Sequence, residues 1–190
     1  MRLFSLLFTL SFSAISILSS GTKPDRKIEK QTIRLLKKEI IARADKALVE
    51  KPVTITDFVC ERSAGGIHDF YSEGDYWWPD PANPGGPYIQ KDGMTNPDNF
   101  TDHRRTMIRL SQIVGVCASA YKVTGDEKYV RHAFLHLNAW FADTSTLMNP
   151  SLLYSQAIKG RYTGRGIGII DTIQLMEVAQ AILIMENAEC

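Results

Sequence analysis

The 190-residue sequence predicts an all-helical fold, built from antiparallel helical hairpins and interrupted by one long aromatic loop. Three observations predict it. Apolar residues recur at spacings of three and four in four separate stretches, the period of helices with one buried face. The second and third of these meet at Thr124-Gly125-Asp126, a turn short enough to make them hairpin neighbours. Between the first and second, residues 51–100 have no period yet carry large rings.

The N-terminus comes first. Arg2 precedes an uncharged run from Leu3 to Leu18, followed by Ser19, Ser20 and Gly21. That run is shorter than the roughly 20 residues of a spanning helix. It reads as a signal peptide, residues 1–20, cut near Gly21. The mature chain, 21–190, is then periplasmic or secreted, with no stable membrane insertion. An uncleaved anchor is the alternative.

Residues 25–50 form the first helix, with Ile33, Leu36, Ile40, Ile41, Ala44, Ala47 and Leu48 on its inner face and Pro52 as its stop. Val53-Thr54-Ile55-Thr56 suits a short extended piece. The loop follows. Phe70, Tyr71, Tyr76, Trp77 and Trp78 place five aromatics within nine residues, and Pro79, Pro81, Pro84 and Pro87 exclude a helix there. A loop this long in a compact domain is functional or disordered. Its aromatics argue against disorder.

Helical order resumes near Thr101. Met107, Leu110, Val114, Cys117 and Tyr121 share a face. Gly125 suits the left-handed position after a helix, and Asp126 the cap of the next. Tyr129, Val130, Ala133, Phe134, Leu137, Trp140 and Phe141 form the next face. Residues 143–168 are irregular. A last helix begins near Ile169, with Ile170, Ile173, Met176 or Glu177, and Leu183 inward, and with Asp171 placed to suit the helix dipole. No glycine cap or proline follows it, so the natural domain is expected to continue beyond Cys190.

Charge excludes one function class. Removing Arg2 from the 22 basic residues leaves 21 against 21 acidic, whereas a general nucleic-acid binder should be basic. Three cysteines, Cys60, Cys117 and Cys190, are too few for a disulfide scaffold.

The aromatic loop is the first candidate site. Asp75, Tyr76, Trp77 and Trp78 suit a sugar, because pyranose C–H faces stack on rings while carboxylates accept from hydroxyls. A loop merely pinned by its rings is the alternative. His68 and His103 flank it. Its acids, Asp69, Glu73, Asp75 and Asp80, would repel a polyanion, so an anionic substrate needs Arg104, Arg105, Arg161 or Arg165 nearby. The run Gly160-x-x-x-Gly164-x-Gly166-x-Gly168 lacks the Gly-Lys-Ser/Thr of a phosphate loop. It is an anion site helped by Arg161 and Arg165, or a tight turn. His132 and His136 sit four apart without the zincin glutamate, and read as a surface or core pair, not a metal site. Asn99-Phe100-Thr101 is a glycosylation acceptor or a helix cap.

These motifs resemble a known family. Ser63-Ala64-Gly65-Gly66-Ile67-His68-Asp69-Phe70-Tyr71-Ser72-Glu73-Gly74-Asp75-Tyr76-Trp77-Trp78-Pro79, Asp102-His103-Arg104, Thr124-Gly125-Asp126-Glu127-Lys128-Tyr129, Trp140-Phe141, Met148-Asn149-Pro150 and Gly164-Arg165-Gly166-Ile167-Gly168-Ile169-Ile170-Asp171 follow one another as in the N-terminal half of alginate lyase domains. The resemblance spans about residues 30–190. It implies an incomplete (α/α) toroid, truncated here, and a periplasmic or secreted enzyme that cuts uronate polysaccharide by β-elimination without metal or other cofactor. In such lyases an Asn/His pair and an Arg neutralise the uronate carboxylate, and a Tyr handles the proton. The family's Asn-Asn-His motif and Tyr are expected beyond residue 190, so no catalytic residue is assigned in this stretch. Asp75 to Trp78 resemble the lid over the sugar cleft, and Arg165 with its neighbours lines the same cleft.

The implied partner is an anionic polysaccharide or oligosaccharide. Two other readings stay open: a glycoside hydrolase with Asp75 and Asp171 as its carboxylates, and a non-catalytic glycan-binding protein.

Overall fold

A computed structural model describes residues 26–189. The signal peptide and Cys190 lie outside the described residues. Two compact units divide the chain, Met1–Lys37 and Lys38–Cys190. The second carries everything discussed below except the start of the first helix.

Four α-helices are described: α1 (Arg26–Ala47), α2 (Asp102–Thr124), α3 (Lys128–Phe141) and α4 (Leu175–Met185). The core lies on α2, which packs against both α3 and α4. Met107, Leu110, Val114 and Cys117 are buried along α2 as their spacing requires, and Tyr121 is partly buried. Gly125 takes φ 72° and its N–H caps Tyr121 O, while the Asp126 carboxylate accepts from Lys128 N–H. The turn therefore works as its residues dictate. Trp140 is fully buried and donates its indole N–H to Val53 O, fixing α3 to the stretch after α1.

Some inward faces differ from the periodic reading. On α3, Phe134 and Phe141 are exposed, whereas His132 and His136 face the core. The ring of His136 finds a carbonyl there, Glu50 O at 3.2 Å, which satisfies the polar atom that burial would otherwise penalise. On α1, Ala44 and Ala47 are buried but Leu36 is exposed. At the C-terminal end, residues Gly166–Thr172 form a 3₁₀ segment and α4 starts only at Leu175. This phase change turns Asp171, Val178, Ala181 and Met185 inward and leaves Ile170, Ile173, Met176 and Leu183 exposed.

The long loop is not structureless, and the chain is not purely helical. Ile55–Asp57 is a 3₁₀ turn, not an extended piece, because Thr54 and Asp57 close a capping box around it. Strand β1 (Tyr71–Glu73) pairs in parallel with β4 (Tyr154–Ala157), and β2 (Trp77–Trp78) pairs antiparallel with β3 (Ile89–Gln90). The β1–β4 register runs Tyr71↔Tyr154 and then Glu73↔Ala157, so β4 holds one extra residue. Gln156 takes up the bulge at φ 54°, in the left-handed region that costs a non-glycine residue free energy. The strands carry the aromatic segment onto the helical body.

Candidate functional site

The site is built where β1, the β2–β3 hairpin and β4 meet α2 and the 3₁₀ segment. The aromatic segment starts buried and ends half-exposed: Phe70 and Tyr71 are inside, Tyr76 is exposed, and Trp77 and Trp78 are intermediate. Asn96, itself buried, donates to Trp77 O at 2.9 Å, and Asn99 donates to Gly74 O at 3.0 Å. Asn99 is thus a brace for the loop. Thr101 stands at the start of α2 without a side-chain capping bond.

The acids of the loop point inward or are paired. Glu73 is buried and accepts from Arg62 Nε at 2.6 Å and Nη2 at 2.7 Å, from Phe100 N–H at 2.7 Å and from the Tyr71 hydroxyl at 3.0 Å. Burial pushes its carboxyl up, but Arg62 and the other donors outweigh it and hold the group below the usual carboxylate range. Burial and the Glu73 charge raise the Tyr71 phenol far above its ordinary value. Asp69 accepts from Gly66 N–H and from Asn149.

Asp75 is held from one side by Arg104, whose Nη1 donates at 3.0 Å. The Nε of the same guanidinium lies 3.0 Å from Asp171 Oδ1, an ion-pair contact in which the N–H does not point along the line between them. Asp171 is 3 % exposed, which explains it better than a helix dipole does. Its carboxylate also accepts from Gln156 Nε2 at 3.2 Å and, through a short bond, from the Ser72 hydroxyl. Ser72 Oγ in turn accepts from Gln156 N–H at 2.8 Å. Arg165 completes the group, donating from Nε to Gln156 O at 2.7 Å and from Nη2 to Gln156 Oε1 at 3.3 Å. Its guanidinium lies over Gly74, where a Cβ would stand 2.8 Å from Nη2. Asp75 and Asp171 thus share one counter-ion, and Asp171 is out of solvent. They do not face each other across an open cleft as a hydrolase pair would.

Basic groups occupy the outside. Arg161 is exposed, donates from Nε to Tyr88 O at 2.8 Å, and lies 5.3 Å from the Trp77 ring centroid. Lys91 lies 4.8 Å from the Trp78 ring and Lys159 5.7 Å from that of Tyr88. A cleft of about 260 Å³ is lined by Arg62, Tyr71, Lys159, Arg161, Tyr162 and their neighbours.

The glycine run is a close-packed turn. A Cβ on Gly164 would lie 1.9 Å from Leu153 O, and one on Gly168 would lie 1.8 Å from Ser155 Oγ. Gly160 takes φ 74° against Pro87. The backbone N–H groups of Arg165 and Gly168 are spent on Ser155 O and Arg165 O.

Of the residues expected at the site, the structure gathers Asp75, Tyr76, Trp77, Trp78, Arg104, Arg161 and Arg165 around the hairpin and β4. It sets the histidines apart. His68 bonds through Nδ1 to Leu147 O at 2.7 Å. His103 is buried, with Tyr71 N–H donating to Nδ1 and Nε2 facing Phe58 O, both at 3.0 Å. Burial lowers its pKa, so it is a neutral structural ring. Sequence reasoning missed Arg62, Ser72, Lys91, Asn96, Gln156 and Lys159. Among the described residues no group of His, Cys, Asp and Glu could hold a metal ion, and Cys60 and Cys117 are free thiols.

This fold has a counterpart among known proteins. The alginate lyase family model matches residues 54–189, so the chain belongs to that family. A crystal structure of an alginate lyase from Bacteroides ovatus is 42 % identical, with a TM-score of 0.72, over 80 % of this chain and 41 % of that one. The chain thus spans about two-fifths of the length of that solved relative. No curated protein matches.

Proposed function

We propose that this chain is the N-terminal part of a secreted or periplasmic polysaccharide lyase that cleaves a uronate-containing, alginate-like polysaccharide by β-elimination. A base removes the proton from C5 of the uronate, the C4–O bond breaks, a C4=C5 double bond forms and the departing oxygen is protonated. The observation that carries this reading is the family match over residues 54–189, joined to 42 % identity with a solved alginate lyase. The helices belong, in this reading, to an incomplete (α/α) toroid.

Residues 1–190 contain no Asn-His dipeptide, so the Asn/His pair that the resemblance assigns to carboxylate neutralisation has no counterpart here, and no catalytic residue is assigned in this stretch. The chain's part is to bind and orient. Tyr76, Trp77, Trp78 and Arg161 are placed to meet sugar, because they are the exposed or half-exposed members of the group. Arg104 and Arg165 act one step back, holding Asp75 and Gly74 in place. The test is to incubate the full-length gene product with alginate and other polyuronates and to follow the absorbance of the unsaturated product. Absence of that product on every polyuronate sinks the proposal.

A further inference from the structure

We infer that the outer face of the aromatic loop is a charge-reading subsite, in which Lys159 and Arg161 hold the carboxylate of a uronate unit. This rests on the lyase reading and adds to it which groups recognise the anion.

The argument begins with how the charges are sorted. The segment is acidic in sequence, but two of its four acids are neutralised from within, Glu73 by Arg62 and Asp75 by Arg104, while Asp69 and Asp80 accept from uncharged donors. The rings outside carry cations. Arg161 lies over Trp77, Lys159 over Tyr88 and Lys91 over Trp78. The side of the loop around Trp77 and Tyr88 therefore carries cations, and the cleft there is lined by no acid.

Arg161 is the best placed. Its Nε is fixed to Tyr88 O and its guanidinium carbon lies over the Trp77 ring, while its terminal nitrogens make no hydrogen bond to any described residue. A guanidinium held at one edge and open at the other is a preorganised fork for a carboxylate. Lys159 stands two residues before it and pairs with no carboxylate. The turn between them is rigid, since Ile158 and Tyr162 exchange two backbone hydrogen bonds and Gly160 is wedged against Pro87. The cleft beside them contains no acid among its lining residues and has room for one sugar unit. Arg104 and Arg165 are more committed, with donors spent on Asp75 and on Gln156. Since Arg161 covers one face of Trp77, that face selects by charge and not by stacking.

Calorimetric titration of the full chain with a mannuronate tetrasaccharide, and with its carboxyl-reduced counterpart, tests this. The wild type is expected to bind the charged form. A Lys159→Gln, Arg161→Gln double variant should bind it at least about tenfold more weakly, with a shallower salt dependence. Arg161→Lys should recover part of the loss, and the reduced tetrasaccharide should bind weakly and equally to all three. Unchanged affinity in the double variant overturns the subsite, as does failure of the wild type to bind the charged form. Binding that is lost in the variant, with no unsaturated product from the wild type, supports the subsite and overturns only the lyase reading.

Discussion

Arg62 grips Glu73 with two parallel bonds, Nε to Oε1 at 2.6 Å and Nη2 to Oε2 at 2.7 Å, across eleven residues of chain. Glu73 is 5 % exposed while Arg62 keeps one side in solvent. Removing the arginine leaves a buried carboxylate with only Phe100 N–H and the Tyr71 hydroxyl. Arg62→Ala should therefore cost about 3 kcal/mol in urea denaturation. Adding Glu73→Gln should return part of that loss, because the uncompensated charge is gone. If the double variant is less stable than the single one by the full effect of both, the pair is not the cause.

Stability should fall as the solution turns acidic. Burial, followed by the neighbouring His132 and then Arg109, pushes His136 down to about 4, with the Glu50 carbonyl pulling the other way. Its folded pKa lies below the unfolded value of 6.5, so the folded state binds fewer protons. The stability it protects is complete above pH 6.5 and is lost as pH falls from there to about 4. The slope approaches ~1.4 kcal/mol per pH unit within that window. His103, also lowered by burial, acts in the same sense. Thermal melts from pH 7.5 to 4.5 read this directly, and His136→Gln should flatten the profile. An unaltered profile in that variant removes His136 from the account.

The helices were legible because their information is local. Cys117 and Val114 sit in the core on spacing alone, and Gly125 with Asp126 ends one helix and starts the next through contacts a few residues long. Phe134 turns outward and His136 inward, where the His136 ring meets the carbonyl of Glu50, eighty-six residues earlier, a contact no local pattern shows. The strands were illegible for a related reason. Two to four residues are too few to show a period of two, and Tyr71 finds its partner at Tyr154. The aromatic segment was singled out as a candidate site by composition, but composition could not show that Glu73 and Asp75 are paired with arginines. Which acids are neutralised depends on Arg62, Arg104 and Asp171, which no local pattern ties to Glu73 or Asp75.

The glycines of the 160–168 turn should separate sharply. Gly168→Ala drives a Cβ into Ser155 Oγ, whose side chain is already bonded to Leu152 O, and Gly164→Ala drives one into the Leu153 carbonyl. Each should cost about 2–3 kcal/mol, the range for forced overpacking. Gly166→Ala meets nothing within 4 Å and should stay within about 0.5 kcal/mol of wild type. Inorganic phosphate should not raise the melting temperature if the run is only a turn, whose Arg165 and Gly168 N–H groups already bond to Ser155 O and Arg165 O. A phosphate-dependent rise would restore the anion-loop reading of this run.

Asp171 is the residue through which the loop is expected to be held. Its carboxylate receives Ser72 from β1 and Gln156 from the bulge of β4, and it sits against Arg104, which holds Asp75 at the start of the hairpin. Asp171→Ala leaves Gln156 Nε2 and one side of Arg104 without an acceptor in a dry place, at a cost of about 2–4 kcal/mol. Global stability alone would not show that the network serves the loop. The tryptophans do, because Trp77 and Trp78 lie on the loop while Trp140 is fully buried in the core. In a folded Asp171→Ala variant, acrylamide should quench a larger share of the fluorescence, and the added fraction should vanish when Trp77 and Trp78 are replaced by Phe. Quenching that stays at the wild-type level while stability drops would mean that Asp171 braces the core and leaves the loop to its own hairpin.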